Sequence, residues 1–186
     1  KIGVFGSGMV GQTIAEKLLA IGHGVVIGTR DPNATVTKDQ PDEMGRPGFK
    51  LWHQEHPKVE VGTFAEAAAH GEMLINATNG GGSLSALKAA GDAHLSDKVL
   101  LDIANPLDFS KGFPPSLFIC NTNSLGEQIQ AQYPKLKVVK ALNTMNAMLM
   151  VNPALLKEDQ TVFISGNDAD AKAKVKSLLE SFGWKA

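Results

Sequence analysis

One cysteine, Cys120, in 186 residues excludes a disulfide framework, and no Cys/His grouping has the spacing of a metal cluster, so no metal site is expected. No apolar run approaches the eighteen residues of a membrane span, which argues against a membrane partner. Charge of one sign is also lacking. A formal net charge of -1 and a pI near 6.6 give no basic field for nucleic acid. With no signal-peptide pattern the chain is expected to be cytoplasmic. It lacks an initiator Met and stops at Trp184-Lys185-Ala186, so residues are expected to be missing at both ends. What is there, 43% hydrophobic and 20% charged residues, suits one globular domain covering 1–186 and leaves no room for a second large one.

The chain opens as Ile2-Gly3-Val4-Phe5, a buried-type strand, and runs directly into Gly6-Ser7-Gly8-Met9-Val10-Gly11. This is G-x-G-x-x-G in its required setting. Ile14, Leu18, Leu19 and Ile21 follow at helical spacing before Gly22. Gly6 permits the tight turn, Gly8 lets backbone approach a pyrophosphate, and Gly11 lets the helix pack on its strand. Phosphate would sit on unpaired amides of the helix N-terminus.

Strands are expected over 24–28, 59–61, 73–77, 99–103, 138–141 and 162–165, and helices over 64–70, 84–90, 125–132 and 169–182. This alternation predicts an α/β fold, a doubly wound parallel sheet of the Rossmann type. Between the second and third strands lies an oversized connection, about 31–58. It holds Pro32, Pro41, Gly45, Pro47, Gly48 and Pro57, and reads as an irregular insertion with one helical turn near Leu51 to Glu55. Lys111 to Pro115 reads as a loop.

NAD-binding versions of such folds close the second strand with an acid for the ribose hydroxyls, whereas NADP-binding versions replace it and place an Arg nearby. Here the strand closes Gly28-Thr29-Arg30: the acid is absent and a guanidinium is present. Asp31-Pro32 reads as a helix N-cap followed by Pro at the first helical position. Thr29 adds a hydroxyl donor. Lys38 would reach the same phosphate if the insertion folds back, a solvated lysine being the better reading. NADP is therefore the expected cofactor.

Ligands in these sheets lie outside the carboxyl ends of the strands. There the sequence places Asn76 to Asn79 with Gly80-Gly81-Gly82, Asp102 to Pro106, and Asn143 to Asn146. These groups orient a ring, but none is a neutral-pH acid or base, so no catalytic residue is assigned. The crevice is expected to be roofed by 78–82, 105–113 and 143–145. Asp108 and Lys111 lie on the correct edge to touch a substrate. Phe109 and Phe113 read equally as a lid or as local packing, and Met145, Met148 and Met150 as core filling. His23, His56, His70 and His94 fall at the opposite edge, and only His53 is free to lie anywhere. Tyr133 and Lys140 read as structural. A site that moves hydride without a general acid suits an acceptor ring that takes up the hydride itself.

Gly6 to Gly11, Gly28-Thr29-Arg30, Asn105-Pro106 and Val139-Lys140-Ala141-Leu142-Asn143-Thr144 together resemble the coenzyme F420-dependent NADP oxidoreductase family, over nearly the whole chain. The resemblance implies a compact domain passing hydride between NADP and the deazaflavin F420, with no dedicated acid or base. It implies pyrophosphate contacts at Ser7, Gly8, Met9 and Val10, and 2′-phosphate contacts at Thr29 and Arg30. Nicotinamide-side contacts would be Thr78, Asn79, Asn105 and Ala141. The chain departs from the family in its longer 31–58 connection and in the Gly-rich turn after the fourth strand, which keeps a flavin acceptor and the related NADPH-flavin ferric-reductase domains open. The family's C-terminal segment, often used in dimerisation, would lie beyond Ala186, which leaves a homodimer open.

Two further readings stand beside hydride transfer to a deazaflavin or flavin. NADPH-dependent reduction of a small imine or carbonyl usually relies on a helical second domain to complete the site, and the chain is too short for one. An NADP-sensing module without turnover would carry the same glycines and the same Arg30.

Overall fold

The computed structural model describes residues 1–42, 45–158 and 160–186. The chain runs β1 (Ile2–Phe5), α1 (Met9–Ala20), β2 (Val25–Thr29), α2 (Pro32–Val36), α3 (Phe49–Glu55), β3 (Glu60–Thr63), α4 (Phe64–His70) and β4 (Met73–Asn76). It continues with α5 (Ser83–Ala90), α6 (Asp92–Leu95), β5 (Val99–Asp102), the short strands β6 (Leu107–Asp108) and β7 (Ser116–Leu117), α7 (Leu125–Gln132), β8 (Lys137–Lys140), α8 (Ala147–Val151), β9 (Ser165–Gly166) and α9 (Ala169–Phe182).

The main sheet is ordered β3-β2-β1-β4-β5-β8-β9, with every neighbouring pair parallel except β8 and β9. From β1 the chain first winds one way through β2 and β3, then returns to the other side of β1 with β4. The strand order therefore reverses between β1 and β4, and the crevice at their carboxyl ends is the binding position of such sheets. This is the doubly wound α/β fold of the Rossmann type.

Helices cover both faces, so the strands are apolar on both sides. Ile2, Val4, Ile27, Ile75, Leu101 and Val139 join one core layer with Ile14 and Leu18 of α1 and Val175, Leu179 and Phe182 of α9. Phe5, Leu74, Leu100 and Val138 join the opposite layer with Phe64, Leu87 and Ile129 of α4, α5 and α7. Alternate residues of one strand thus serve different layers, as the two-residue side-chain period requires.

Residues 43 and 44 of the 31–58 connection lie outside the described residues; the rest of it is more ordered than its Pro and Gly content predicts. Asp31 caps α2 as expected, its Oδ1 accepting the Ala34 amide at 2.9 Å. Phe49 and Trp52 are buried against the α1 layer. The Trp52 indole also donates to the Glu16 carboxylate on α1. The Lys50 amide donates to the Lys38 carbonyl at 3.1 Å, and Gly48 is needed there because a Cβ would stand 2.4 Å from that same carbonyl oxygen.

The strand expected over 162–165 is the main correction. β9 is only Ser165–Gly166 and runs antiparallel to β8, pairing Lys140 with Ser165. The segment between β8 and β9 holds the five-residue α8, packed on α1, in place of a helix laid back along the sheet to start a parallel strand. Val162 instead donates its amide to the Lys185 carbonyl at 3.2 Å, beside a bridge between Thr161 and Lys185. The expected loop at 111–115 is the tip of the β6–β7 hairpin.

Candidate functional site

The glycine loop has the geometry its motif predicts. Gly6 has φ +114°, a conformation that disfavours any residue with a side chain. A Cβ on Gly11 would stand 1.9 Å from the Gly6 carbonyl oxygen, so close packing of α1 on the turn requires glycine. Over Gly8 a Cβ would meet nothing within 4 Å: the backbone there faces open space. Gly8 is the N-cap of α1 and supplies no side-chain acceptor, so the first-turn amides have no intrahelical partner and remain available to an anion. Gln12, which the motif does not specify, pins the loop by donating from Nε2 to the Ser7 carbonyl at 2.8 Å.

Ser7, Gly8 and Met9 form one wall of a cavity of about 490 Å³ that continues past Thr29 and Arg30. Arg30 is exposed, and its side chain has no hydrogen bond or ion pair among the described residues. Thr29 is nearly buried, with its hydroxyl 2.9 Å from that of Thr35. Because Thr35 donates its one hydroxyl hydrogen to the Asp31 carbonyl at 2.8 Å, Thr29 is the donor in the pair. The Thr29 hydroxyl can still rotate toward a ligand at the cavity wall.

At the switch point, a cavity of about 210 Å³ is lined by Val10, Thr78, Asn79, Asn105, Asn143 and Met145 among others. Asn105 Nδ2 donates to the Asn143 carbonyl at 2.7 Å, and Asn143 Nδ2 donates back to Asn105 Oδ1 at 3.2 Å. This reciprocal pair lines both the small cavity and a neighbouring one of about 570 Å³ that also takes in Cys120, Glu127 and Lys140.

Beneath these cavities lies a polar network. The buried Asn76 donates from Nδ2 to Asp102 Oδ1 at 2.8 Å and to Ser83 Oγ at 3.0 Å, while its own Oδ1 accepts the Thr78 hydroxyl at 2.7 Å. Asp102, with no exposed surface, accepts Lys140 Nζ at 3.0 Å on its other oxygen, and Lys140 also donates to the Ala104 carbonyl. Asn76 and Asp102, two of the polar residues expected at strand ends, therefore hold the loops that carry Thr78 and Asn105. The Asp102–Lys140 pair was missed because only the β5–β8 register makes them cross-strand neighbours.

The other sequence-selected residues separate clearly. Ala141 is buried in the core at the end of β8, and of its segment Asn143 and Met145 line the cavity instead. Gly80 to Gly82 form a 3₁₀ turn capped by Asn79 Oδ1, with Gly80 packed on the Asn105 backbone. The triple glycine is therefore not among the lining of the switch-point cavity, contrary to the expected roof. Phe109 and Phe113 are 51% and 89% exposed and line none of the three cavities, so neither is packed locally. Met145 and Met150 line the small cavity, whereas Met148 is 60% exposed rather than core filling. Asp108 accepts the Ser110 amide at 2.9 Å, a hydrogen bond that holds its carboxyl below the ordinary range.

Four histidines contact backbone carbonyls: His53 at Val59, His56 at Trp52, His70 at Gly24 and His94 at Ala90, at 2.8 to 3.1 Å. Burial pushes the His23 imidazole below its usual value. None of the five lines a cavity at the carboxyl edge. Tyr133 is buried, with its hydroxyl accepting from Gln132 Nε2 at 3.2 Å and burial raising its pKa.

A glycine loop opening onto a switch-point crevice, with an unpartnered guanidinium where an NAD site carries an acid, places the chain in the class of NADP-dependent oxidoreductases. Residues 1–106 match the model of the family described as NADP oxidoreductase, coenzyme F420-dependent, and the chain belongs to that family. A crystal structure from Arthrobacter sp. FB24, named provisionally as an F420-dependent NADP-reductase, is 54% identical, covers 100% of this chain and 82% of that one, and superposes with a TM-score of 0.94. The metalloreductase STEAP3 of Rattus norvegicus is 26% identical over 99% of this chain, which spans 32% of that protein's length. Pyrroline carboxylate reductase of Plasmodium falciparum, solved with NADP bound, is 16% identical over 99% of this chain and 55% of its own, with a TM-score of 0.58, a likeness of fold. Among the described residues no helix is long and apolar enough to cross a membrane.

Proposed function

We propose that this chain exchanges hydride between NADP(H) and a ring acceptor of the deazaflavin F420 or flavin type. The observation that carries the reading is the composition of the switch-point cavity: its lining is amide, hydroxyl and apolar, with no titratable side chain. Reduction of a carbonyl or imine normally draws a proton from such a side chain. A ring that accepts hydride directly asks the protein for alignment only.

The residues present fit the dinucleotide. Open space over Gly8 and the free first-turn amides of Met9 and Val10, beside Ser7, suit a pyrophosphate; Gly6 and Gly11 shape the loop around it. Arg30 supplies charge-assisted hydrogen bonds to a 2′-phosphate, and the Thr29 hydroxyl, turned from Thr35, donates beside it. Thr78, Asn79 and Asn105 hold a nicotinamide amide and ribose at the end of β4 and β5, with Asn143 rather than the buried Ala141 reaching the cavity from the end of β8. When bound, NADPH supplies the hydride. The larger cavity across the Asn105–Asn143 pair offers a second ring its place. Lys140 reaches that cavity, but its ammonium is already bonded to Asp102 and the Ala104 carbonyl, which makes it a structural cation rather than a proton donor.

The test is single-turnover mixing of the protein and NADPH with F420, FMN and a panel of small imines and keto acids, using NADPH deuterated at the nicotinamide. Oxidation by F420 or FMN with a primary isotope effect is expected. Oxidation by the small carbonyls alone overturns the reading, as does tight NADPH binding without turnover on any acceptor.

A further inference from the structure

We propose that Lys38 and Arg46, both on the long connection between β2 and β3, are specificity-determining residues that grip the NADP 2′-phosphate from the side opposite Arg30; this rests on the NADP reading above. The cavity beside the glycine loop has two walls. Thr29 and Arg30 come from the end of β2, while Lys38, Arg46 and Phe49 come from the connection. Its volume of about 490 Å³ is in the range of small-molecule sites.

Three cations therefore face one space, and the carboxylates there are engaged. Asp31 caps α2 through Oδ1. Asp42 accepts the Arg46 backbone amide at 3.0 Å and pairs with its guanidinium. Lys38 is exposed and its side chain has no partner among the described residues. Arg46 is more telling, because its Nε is buried and lacks a hydrogen-bond acceptor among the described residues. A buried guanidinium N–H left unsatisfied is costly and calls for a missing acceptor. A phosphate oxygen supplies one, with the planar fork geometry that favours Arg for this task.

The connection can carry such a role because it is anchored. Phe49 and Trp52 are buried against α1, and the Lys50 amide bonds back to the Lys38 carbonyl beside the tightly packed Gly48. Lys38 and Arg46 are thereby held on a fixed wall.

Calorimetric titration of the protein with adenosine 2′,5′-bisphosphate and with AMP tests this without any turnover. Lys38→Ala and Arg46→Ala are each expected to weaken the bisphosphate about tenfold, the scale of one lost hydrogen bond to a charged group, and to leave AMP within about twofold. Arg46→Lys should recover part of the loss. Lys38→Ala carries the test if Arg46→Ala proves unstable, since Lys38 makes no contact that the fold uses. Equal weakening toward both ligands, or no change in either variant, overturns the inference. The underlying reading is separable: wild-type protein binding NADPH and NADH equally would overturn that reading, whereas a preference for NADPH undiminished in both variants overturns only the role of the connection.

Discussion

The ammonium of Lys140 lies 3.0 Å from Oδ2 of Asp102, a carboxylate with no exposed surface. The pair joins neighbouring strands at the level where the site begins, and Asp102 also receives Asn76 and the Ala104 amide. Removing the cation leaves the charge buried and uncompensated, so Lys140→Met is expected to cost about 3 kcal/mol in urea unfolding. Asp102→Asn combined with Lys140→Met should cost less than Lys140→Met alone. A single Lys140→Met variant as stable as wild type would show that the pair does not hold the strand ends.

The Arg30 side chain has no partner among the described residues, so the proposed reading gives it a part in binding rather than in stability. Arg30→Ala is expected to weaken NADPH roughly ten- to a hundredfold and to leave NADH nearly unchanged, because the lost hydrogen bonds exist only with the 2′-phosphate. Fluorescence titration with both cofactors checks this. Equal weakening of the two would remove Arg30 from the specificity site.

Asn105 and Asn143 brace each other across the boundary between two cavities. Asn105→Ala should slow single-turnover hydride transfer by about ten- to a hundredfold, since a shift on the order of 1 Å in the alignment of reacting groups has effects of that size. The apparent affinity for NADPH should fall much less, because most of its contacts lie at the glycine loop and Arg30. A loss confined to affinity would place Asn105 in binding alone.

The histidines should be dispensable for chemistry. His70 and His94 are tied to backbone carbonyls, and His23, its pKa lowered by burial, lines none of the cavities at the carboxyl edge. Singly replaced by Gln, each should leave kcat within a few-fold, whereas loss of a general acid or base typically costs a hundredfold or more. For the same reason the rate of hydride transfer should change by only a few-fold between pH 6 and 8. A hundredfold drop in any of the three variants would contradict their placement away from the crevice.

The local signals in this chain were strong wherever a residue's role is set by its own backbone. Gly6, Gly8 and Gly11 announced the loop because a positive φ, an open approach and a close contact each demand the absence of a Cβ, and Asp31-Pro32 announced a helix start because capping is a three-residue affair. Apolar runs too short to be anything but buried strands, alternating with helical patterns, determined a doubly wound sheet. Tertiary structure decided what depends on partners distant in sequence. Lys140 became the counter-ion of Asp102 only through strand register, and Asn143 joined Asn105 only across the switch point. The direction of β9 is set by its antiparallel pairing with the end of β8, a contact between segments far apart in sequence. The connection at 31–58 looked irregular because Pro and Gly punctuate it, yet the burial of Phe49 and Trp52 on α1 makes its described residues a wall of the cavity beside the glycine loop. Such long-range burial leaves no periodic trace in the sequence, which is why the wall was visible only in three dimensions.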